Sequence, residues 1–225
     1  MRRVLVDALH GAPGDPVALD AGRDHHLRHV LRATNGALFE AFDGRGLRAV
    51  ACFQDGALVL RDAPTADRPE HALVLVLALA KGPAVDQAVR AATEVGATEV
   101  RLVTTQRSMH ETGRLDRLER IAESAATQCG RADVPRITGP RPLRETVEKT
   151  RSEMPVYVAT PGASPVAERP AGPCAAVVGP EGGLTAAEHA WLFDHGALAI
   201  GLTPHILRVE TAAPIVLAQL TVAAR

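Results

Sequence analysis

The sequence predicts an α/β protein: a mainly parallel sheet with helices on both faces, preceded by a small domain of short strands. Two textures and the joint between them predict it. Up to about residue 62 the chain is a series of short β-type runs, Arg3–Val6, Leu38–Phe42, Leu47–Phe53 and Ala57–Leu60, with Asp43-Gly44 and Asp55-Gly56 as turns. One helix interrupts them, with Asp24 as its expected cap and Leu27, Val30 and Leu31 as its apolar stripe. Several short strands and one helix suggest a small barrel. The segment Ala63-Pro64-Thr65-Ala66-Asp67-Arg68-Pro69 reads as a linker, giving domains 1–68 and 69–225.

From residue 70 strands and helices alternate. Ala72–Ala80 reads as a buried strand, and Val85, Ala88, Val89, Ala92 and Val95 as a helical stripe that stops at Gly96. Val100–Thr104, Val156–Ala159, Ala175–Val178 and Leu198–Leu202 are further strands. Helices are expected over Arg114–Gln128, Leu143–Thr150, Ala186–His195 and Ala212–Ala224. Such alternation gives a mainly parallel sheet covered on both faces.

The hydrophobic fraction, 46%, is ample for a core, but aromatics make up only 3%, so the core must be built from Ala, Val and Leu. A net charge of −1 excludes a polyanion binder that works by bulk charge; binding RNA would need a local basic patch. Cys52, Cys129 and Cys174 form no CxxC pair, which points to a reducing cytosol and no structural metal. The opening MRRVLVDALHGAPGD lacks the apolar stretch of a signal peptide, and the run Ala72–Ala80 is far short of the roughly 20 residues that span a bilayer. A cytoplasmic protein without a membrane partner is expected.

Two loops carry the chemistry. Val178-Gly179-Pro180-Glu181-Gly182-Gly183 follows a strand and precedes a helix whose start is marked by a Thr185/Glu188 capping box. Its glycines let backbone approach a ligand, and ligands bind at the carboxyl ends of strands in open α/β sheets. It lacks the Lys of a phosphate-binding Walker loop and the spacing of a dinucleotide fingerprint. By the residues alone it is either a ligand cradle or a tight turn, and Glu181 either a ligand-facing acceptor or base, or a solvated acid. The second loop, Ile200-Gly201-Leu202-Thr203-Pro204-His205-Ile206-Leu207, leads into a helix with Thr211 as expected N-cap and Pro214 in its first turn. Arg208 and Glu210 lie between apolar runs, so they pair with each other, a neighbour or a ligand.

Taken in order, these motifs resemble the SPOUT family of 16S ribosomal RNA uridine N3-methyltransferases. The resemblance rests on GPEGGL with its T-x-x-E helix start, on Ile206-Leu207-Arg208-Val209-Glu210-Thr211-Ala212, and on Lys81-Gly82 followed by Ala92-Thr93-Glu94-Val95-Gly96. Gln106-Arg107-Ser108, Ala125-Ala126-Thr127-Gln128-Cys129-Gly130-Arg131, Val30-Leu31-Arg32 and Phe42-Asp43-Gly44 extend it over almost the whole chain. The chain departs from that pattern at Thr203 (usually Gly), His205 (usually Arg), Ala91 (commonly Lys) and His29 (commonly Arg).

The resemblance implies a PUA-like β-barrel that binds RNA, then a methyltransferase domain with a trefoil knot. It implies S-adenosyl-L-methionine as cofactor, a homodimer, and uridine 1498 of 16S rRNA, in the assembled small subunit, as target. The implied cofactor residues are Thr160, Val178, Gly179, Pro180, Gly182, Gly183, Ile200, Leu202, Thr203, Pro204, Ile206 and Leu207. The implied RNA contacts are Arg3, Arg32, Arg107, Arg120 and Arg131. Uridine N3–H is weakly acidic, so a carboxylate to take its proton and a guanidinium to steady the anion are expected; Glu181 and Arg208 are the candidates, with Arg3 a third. A side chain at Gly182 is expected to fill the ligand's space, and Leu217 to lie in the subunit interface. Competing readings are a ribose 2′-O-methyltransferase, a non-catalytic rRNA-binding assembly protein, and an unrelated nucleotide-binding enzyme.

Overall fold

A computed structural model describes residues 1–108 and 115–221. The chain divides into two compact units, Met1–Arg68 with Glu123–Val134, and Pro69–Ala122 with Pro135–Arg225. The segment 123–134, which the sequence reading placed in the second domain, is grouped with the first. Among the described residues no helix is long and apolar enough to cross a membrane.

The first unit is built on β1 (Arg2–Leu5), α1 (Ala21–His25), β2 (Leu38–Phe42), β3 (Leu47–Gln54), β4 (Ala57–Leu60) and β5 (Thr65–Ala66). The sheet order is β1-β2-β3-β4, with β5 paired to β3; β1 and β2 run parallel and the other pairs antiparallel. Alternate residues of these strands, among them Val4, Phe39, Ala41, Ala49, Ala51, Phe53, Leu58 and Leu60, pack with Leu27 into one core.

Two expectations change here. Helix α1 is capped by Asp20, whose carboxylate accepts the Arg23 N–H, and Asp24 sits in the first turn. A π-helical turn, His26–Val30, follows and rotates the stripe: Leu27 is buried, whereas Val30 is 61% exposed. The supposed linker also contributes β5, a two-residue strand too short to show a period.

The second unit holds β6 (Leu73–Ala78), α2 (Ala84–Val95), β7 (Glu99–Thr104), α3 (Leu115–Cys129), β8 (Arg136–Pro142), α4 (Leu143–Glu153), β9 (Val156–Ala159), β10 (Cys174–Val178), α5 (Ala186–Asp194), β11 (Leu198–Ile200) and α6 (Val209–Thr221). The second half of α3, from Glu123, falls in the first unit. The expected ends of two helices, Arg114 and Val222–Ala224, lie outside the described residues.

The strand order is β11-β9-β10-β6-β7-β8, and every neighbouring pair is parallel. Central β6 and β10 are buried along their whole length. Val74, Val76 and Ala78 share a core with Leu143 and Val147 of α4 and Leu192 of α5, while α6 packs on β6 and β10 and against α2. Ala84, Ala88 and Ala92 of α2 and Ala212 and Ala213 of α6 are buried, so these helices meet through small side chains, as an aromatic-poor sequence requires.

Strand β8 is absent from the sequence reading because Arg136–Pro142 carries Gly139, Pro140 and Pro142. It is an edge strand, where proline is tolerated. It pairs with β7 across an irregularity between Arg101 and Val103, and at Gly139 (φ +99°) a Cβ would stand 2.3 Å from the Leu102 carbonyl oxygen.

Helix α6 starts at Val209 rather than after Thr211. The Arg208 carbonyl accepts the Thr211 and Ala212 N–H groups, so Thr211 lies inside the helix and Pro214 in its second turn, where one N–H···O bond is missing. Leu217 is fully buried within this chain's own core, so a charge there tests folding and not a subunit interface.

The end of β11 is crowded. The Gly201 N–H donates to the Ser164 carbonyl at 2.8 Å, and a Cβ on Gly201 would lie 1.8 Å from the Ala163 carbonyl oxygen. Backbone blocks that space, so relief requires parting the two segments. Gly201→Ala is therefore expected to lower the melting temperature by roughly 4–12 °C, the equivalent of overpacking by a few kcal/mol. An unchanged melting temperature in calorimetry would rule out the contact.

Candidate functional site: a cleft at the carboxyl ends of the strands

The glycine-rich loop is a tight turn. The Gly183 N–H donates to the Pro180 carbonyl at 2.8 Å, which places Glu181 and Gly182 at the corners and Gly183 after them at φ +68°. Leu184 then folds back on Gly179, where a Cβ would meet the Leu184 backbone nitrogen at 3.2 Å. At Gly182, which lines the cleft, a Cβ would meet the aliphatic part of Arg107, a flexible side chain, at 3.3 Å.

The capping box that ends the loop is complete. Thr185 Oγ1 accepts the Glu188 N–H, and Glu188 Oε2 accepts from the Thr185 N–H at 2.7 Å and the Thr185 hydroxyl at 3.0 Å. Glu188 does more than cap. Its Oε1 accepts the Gln106 N–H at 2.9 Å, tying in the loop that follows β7. Burial, the largest single influence on this carboxyl, pushes its pKa up. The N–H groups of Thr185 and Gln106, the Thr185 hydroxyl and the Arg107 charge together outweigh it and hold the pKa below the ordinary value.

Two further bridges join the strand-end loops. Glu181 Oε1 accepts the Lys81 N–H at 2.7 Å, from the loop after β6, and Arg107 Nη1 donates to the Gly182 carbonyl at 2.7 Å. Glu181 is exposed and its Oε2 has no partner among the described residues.

The opposite wall is the segment after β11. The Thr160 N–H donates to the Ile200 carbonyl at 2.9 Å, and Gln219 of α6 reaches the Leu202 carbonyl at 3.4 Å. The Thr203 hydroxyl donates to the His205 carbonyl and accepts the His205 N–H, so Thr203, where the resemblance has Gly, closes a small turn.

Between the walls lies a cleft of about 230 Å³. Thr160, Val178, Gly179, Pro180, Gly182, Gly183, Leu202, Thr203, Ile206 and Leu207 line it, as do Glu181, Leu184, His189, His205, Val209 and Ala212. Ile200 and Pro204 do not: Ile200 is fully buried at the end of β11, and Pro204 is exposed. Sequence reasoning missed His189. It lies four residues into the helix after the Thr185 cap, and side chains there lean back toward the helix start.

Arg208 is exposed, not a buried charge, and Glu210 is half-exposed. No ion pair among the described residues includes either, so of the three partners expected, each other, a neighbour or a ligand, the first two are not seen.

The candidate RNA arginines divide in two. In the first unit the Arg3 guanidinium stands over the Phe42 ring and donates to Glu40 and to the carbonyls of Ala126, Thr127 and Arg131, and its side chain is 12% exposed. It stops the last turn of α3 and has no donor left for RNA or for the reaction, which corrects both roles expected of it. Arg131 is likewise drawn inward, 13% exposed and paired with Asp133. Arg32 is exposed at a left-handed φ of +50°, and Arg107 is exposed beyond its bond to Gly182. Arg120 is 72% exposed and donates to the surface carboxylate and the backbone carbonyl of Asp116.

Comparison with known proteins accords with this geometry. Residues 67–221 match the RNA methyltransferase domain family. The ribosomal RNA small subunit methyltransferase E of Synechocystis sp. is 30% identical over 222 residues, 91% of this chain and 72% of that protein. Its namesake from Mycobacterium tuberculosis is 30% identical over 226 residues, 91% of this chain and 85% of that protein. A solved Neisseria gonorrhoeae ribosomal RNA small subunit methyltransferase E, bound to S-adenosyl methionine, superposes with a TM-score of 0.85 at 28% identity, covering 97% of this chain and 95% of the other. The chain has an α/β methyltransferase fold and belongs to the RNA methyltransferase domain family, alongside the ribosomal RNA small subunit methyltransferase E proteins.

Proposed function

We propose that this protein transfers a methyl group from S-adenosyl-L-methionine to N3 of a uridine, position 1498, in 16S ribosomal RNA of the small subunit. The observation that carries this reading is the convergence of the 178–184 loop and the 202–207 segment on one cleft at the carboxyl ends of β10 and β11. Its apolar wall of Val178, Leu202, Ile206, Leu207 and Val209, with glycine backbone opposite, suits a flat nucleoside joined to an amino-acid tail.

When bound there, the cofactor supplies a sulfonium methyl already activated for transfer. The chain's own residues then have three tasks. The two loops hold the donor in line with the target base. Glu181, with Oε1 fixed on Lys81, offers Oε2 to the N3 proton. Arg208 steadies the negative charge that spreads onto the uracil carbonyl oxygens.

The wider assembly belongs to the same reading: a PUA-like barrel for the first unit, a trefoil knot around the Gly201/Ala163 crossing, a cytoplasmic location, and a homodimer formed through the half-exposed Pro214, Ile215 and Ala218 of α6. RNA contact rests on Arg32, Arg107 and Arg120. Nucleoside mass spectrometry tests the central claim. 16S RNA from a strain lacking the protein should lack N3-methyluridine, and purified protein with cofactor should restore it. A methyl found on a ribose, or no transfer to RNA-bearing small subunits, overturns the reading.

A further inference from the structure

We propose that His189 is a cofactor-binding residue: its imidazole Nε2–H donates a hydrogen bond to an acceptor on the nucleoside half of the ligand. The inference rests on the proposed reading of the cleft and goes beyond it, since neither loop of that reading contains His189.

Among the cleft's side-chain donors only His189 is both free and held in place. A nucleoside presents acceptors at its ring nitrogens and ribose oxygens, beside hydroxyl and amine groups that donate, so a site that reads those acceptors needs donors. Four lining residues carry a side-chain hydroxyl or ring N–H: Thr160, Thr203, His189 and His205. The Thr160 hydroxyl donates to the Val158 carbonyl at 2.9 Å, and the Thr203 hydroxyl to the His205 carbonyl at 2.9 Å. Both threonines are committed. His205 is exposed at the rim of the cleft and carries no contact that fixes its ring.

His189 is both uncommitted and held in place. It sits on α5, whose start is locked by the Thr185/Glu188 box, and its ring packs on Phe193 one turn further along, with centroids 5.7 Å apart. Nδ1 is buried and has no hydrogen-bond partner. A buried N–H without an acceptor is rarer and costlier than a bare lone pair, so the proton belongs on Nε2. The ring therefore turns its one N–H donor away from the packed Nδ1 edge, in a residue that lines the cleft. A donor fixed before the ligand arrives pays no ordering cost on binding.

Calorimetry with S-adenosylhomocysteine, adenosine and methionine tests this on the intact protein. His189→Phe keeps a flat ring on Phe193 and removes the donor; His189→Gln keeps a donor. His189→Phe should bind both S-adenosylhomocysteine and adenosine roughly 3–10-fold more weakly, the loss expected for one hydrogen bond. His189→Gln should recover part of that loss, and methionine binding should not change. Unaltered affinity for both nucleosides in His189→Phe overturns the proposal while leaving the cleft as the cofactor site. Weaker S-adenosylhomocysteine binding with unaltered adenosine binding overturns the assignment to the nucleoside half. Failure of the wild-type protein to bind S-adenosylhomocysteine removes the underlying reading instead. Thermal unfolding of each variant confirms that losses arise from binding and not from misfolding.

Discussion

Arg208→Ala is expected to lower the single-turnover rate of methyl transfer by about 10²–10³-fold and to leave cofactor affinity unchanged. The expectation follows from a placement that stability alone does not explain. The Arg208 carbonyl receives the first N–H groups of α6, so its backbone is fixed between the cleft-lining residues Leu207 and Val209. A cation at a helix start is disfavoured by the exposed N–H dipoles there. Arg208 nevertheless stands at one with no ion-pair partner among the described residues. A guanidinium held so, beside the cleft, is suited to charge that appears only during the reaction. Arg208→Lys keeps the charge without the planar fork and should also be slow. Wild-type rates in Arg208→Ala would remove this residue from the reacting centre.

Glu181→Gln is expected to slow single-turnover transfer by about 10²–10⁴-fold at neutral pH, the range for loss of a general base. The substitution is informative because of the bond to Lys81. The glutamine carbonyl can go on accepting the Lys81 N–H, so the loop keeps its shape and only the proton acceptor is lost. Its rate should then climb as the pH rises toward the ionisation of N3 itself. Glu181→Ala removes the bridge as well and should weaken cofactor binding in addition. If Glu181→Gln matches the wild-type rate while Glu181→Ala is slow, Glu181 is a loop-positioning residue and the proton leaves by another path.

How much of this was legible in the sequence depended on the range of the forces involved. Length and unbroken apolar character located β6 and β10, which are buried end to end and built of apolar residues alone. The Thr185/Glu188 box was legible because both partners lie within one turn. Local signals misled where a competing group lay nearby: Asp20 took the cap expected of Asp24, and burial of Val209 drew the start of α6 ahead of Thr211. Strand β8 escaped because proline and glycine at an edge resemble a loop.

The arginines mark the firmest limit. Nothing local to Arg3 shows that its guanidinium will close the end of a helix more than a hundred residues later in the chain, whereas Arg131 pairs with Asp133 only two residues away. Which cations are left for RNA is decided by tertiary neighbours. The same holds for the cleft, where ordered motifs pointed to both loops but not to His189, whose role depends on which other donors are already engaged.

The bridges between the strand-end loops also have a consequence in time. Lys81 and Gln106 lie early in the chain, and the carboxylates that hold their amides come 100 and 82 residues later. While the chain is being synthesised, the loops after β6 and β7 emerge with these donors open to water. They stay so until the segment from Glu181 to Glu188 has been made and docked. In the assembled protein these two amides, in loops where amide protons ordinarily exchange quickly, are expected to exchange slowly. Their protection would report that the loop after β10 has docked on the loops after β6 and β7.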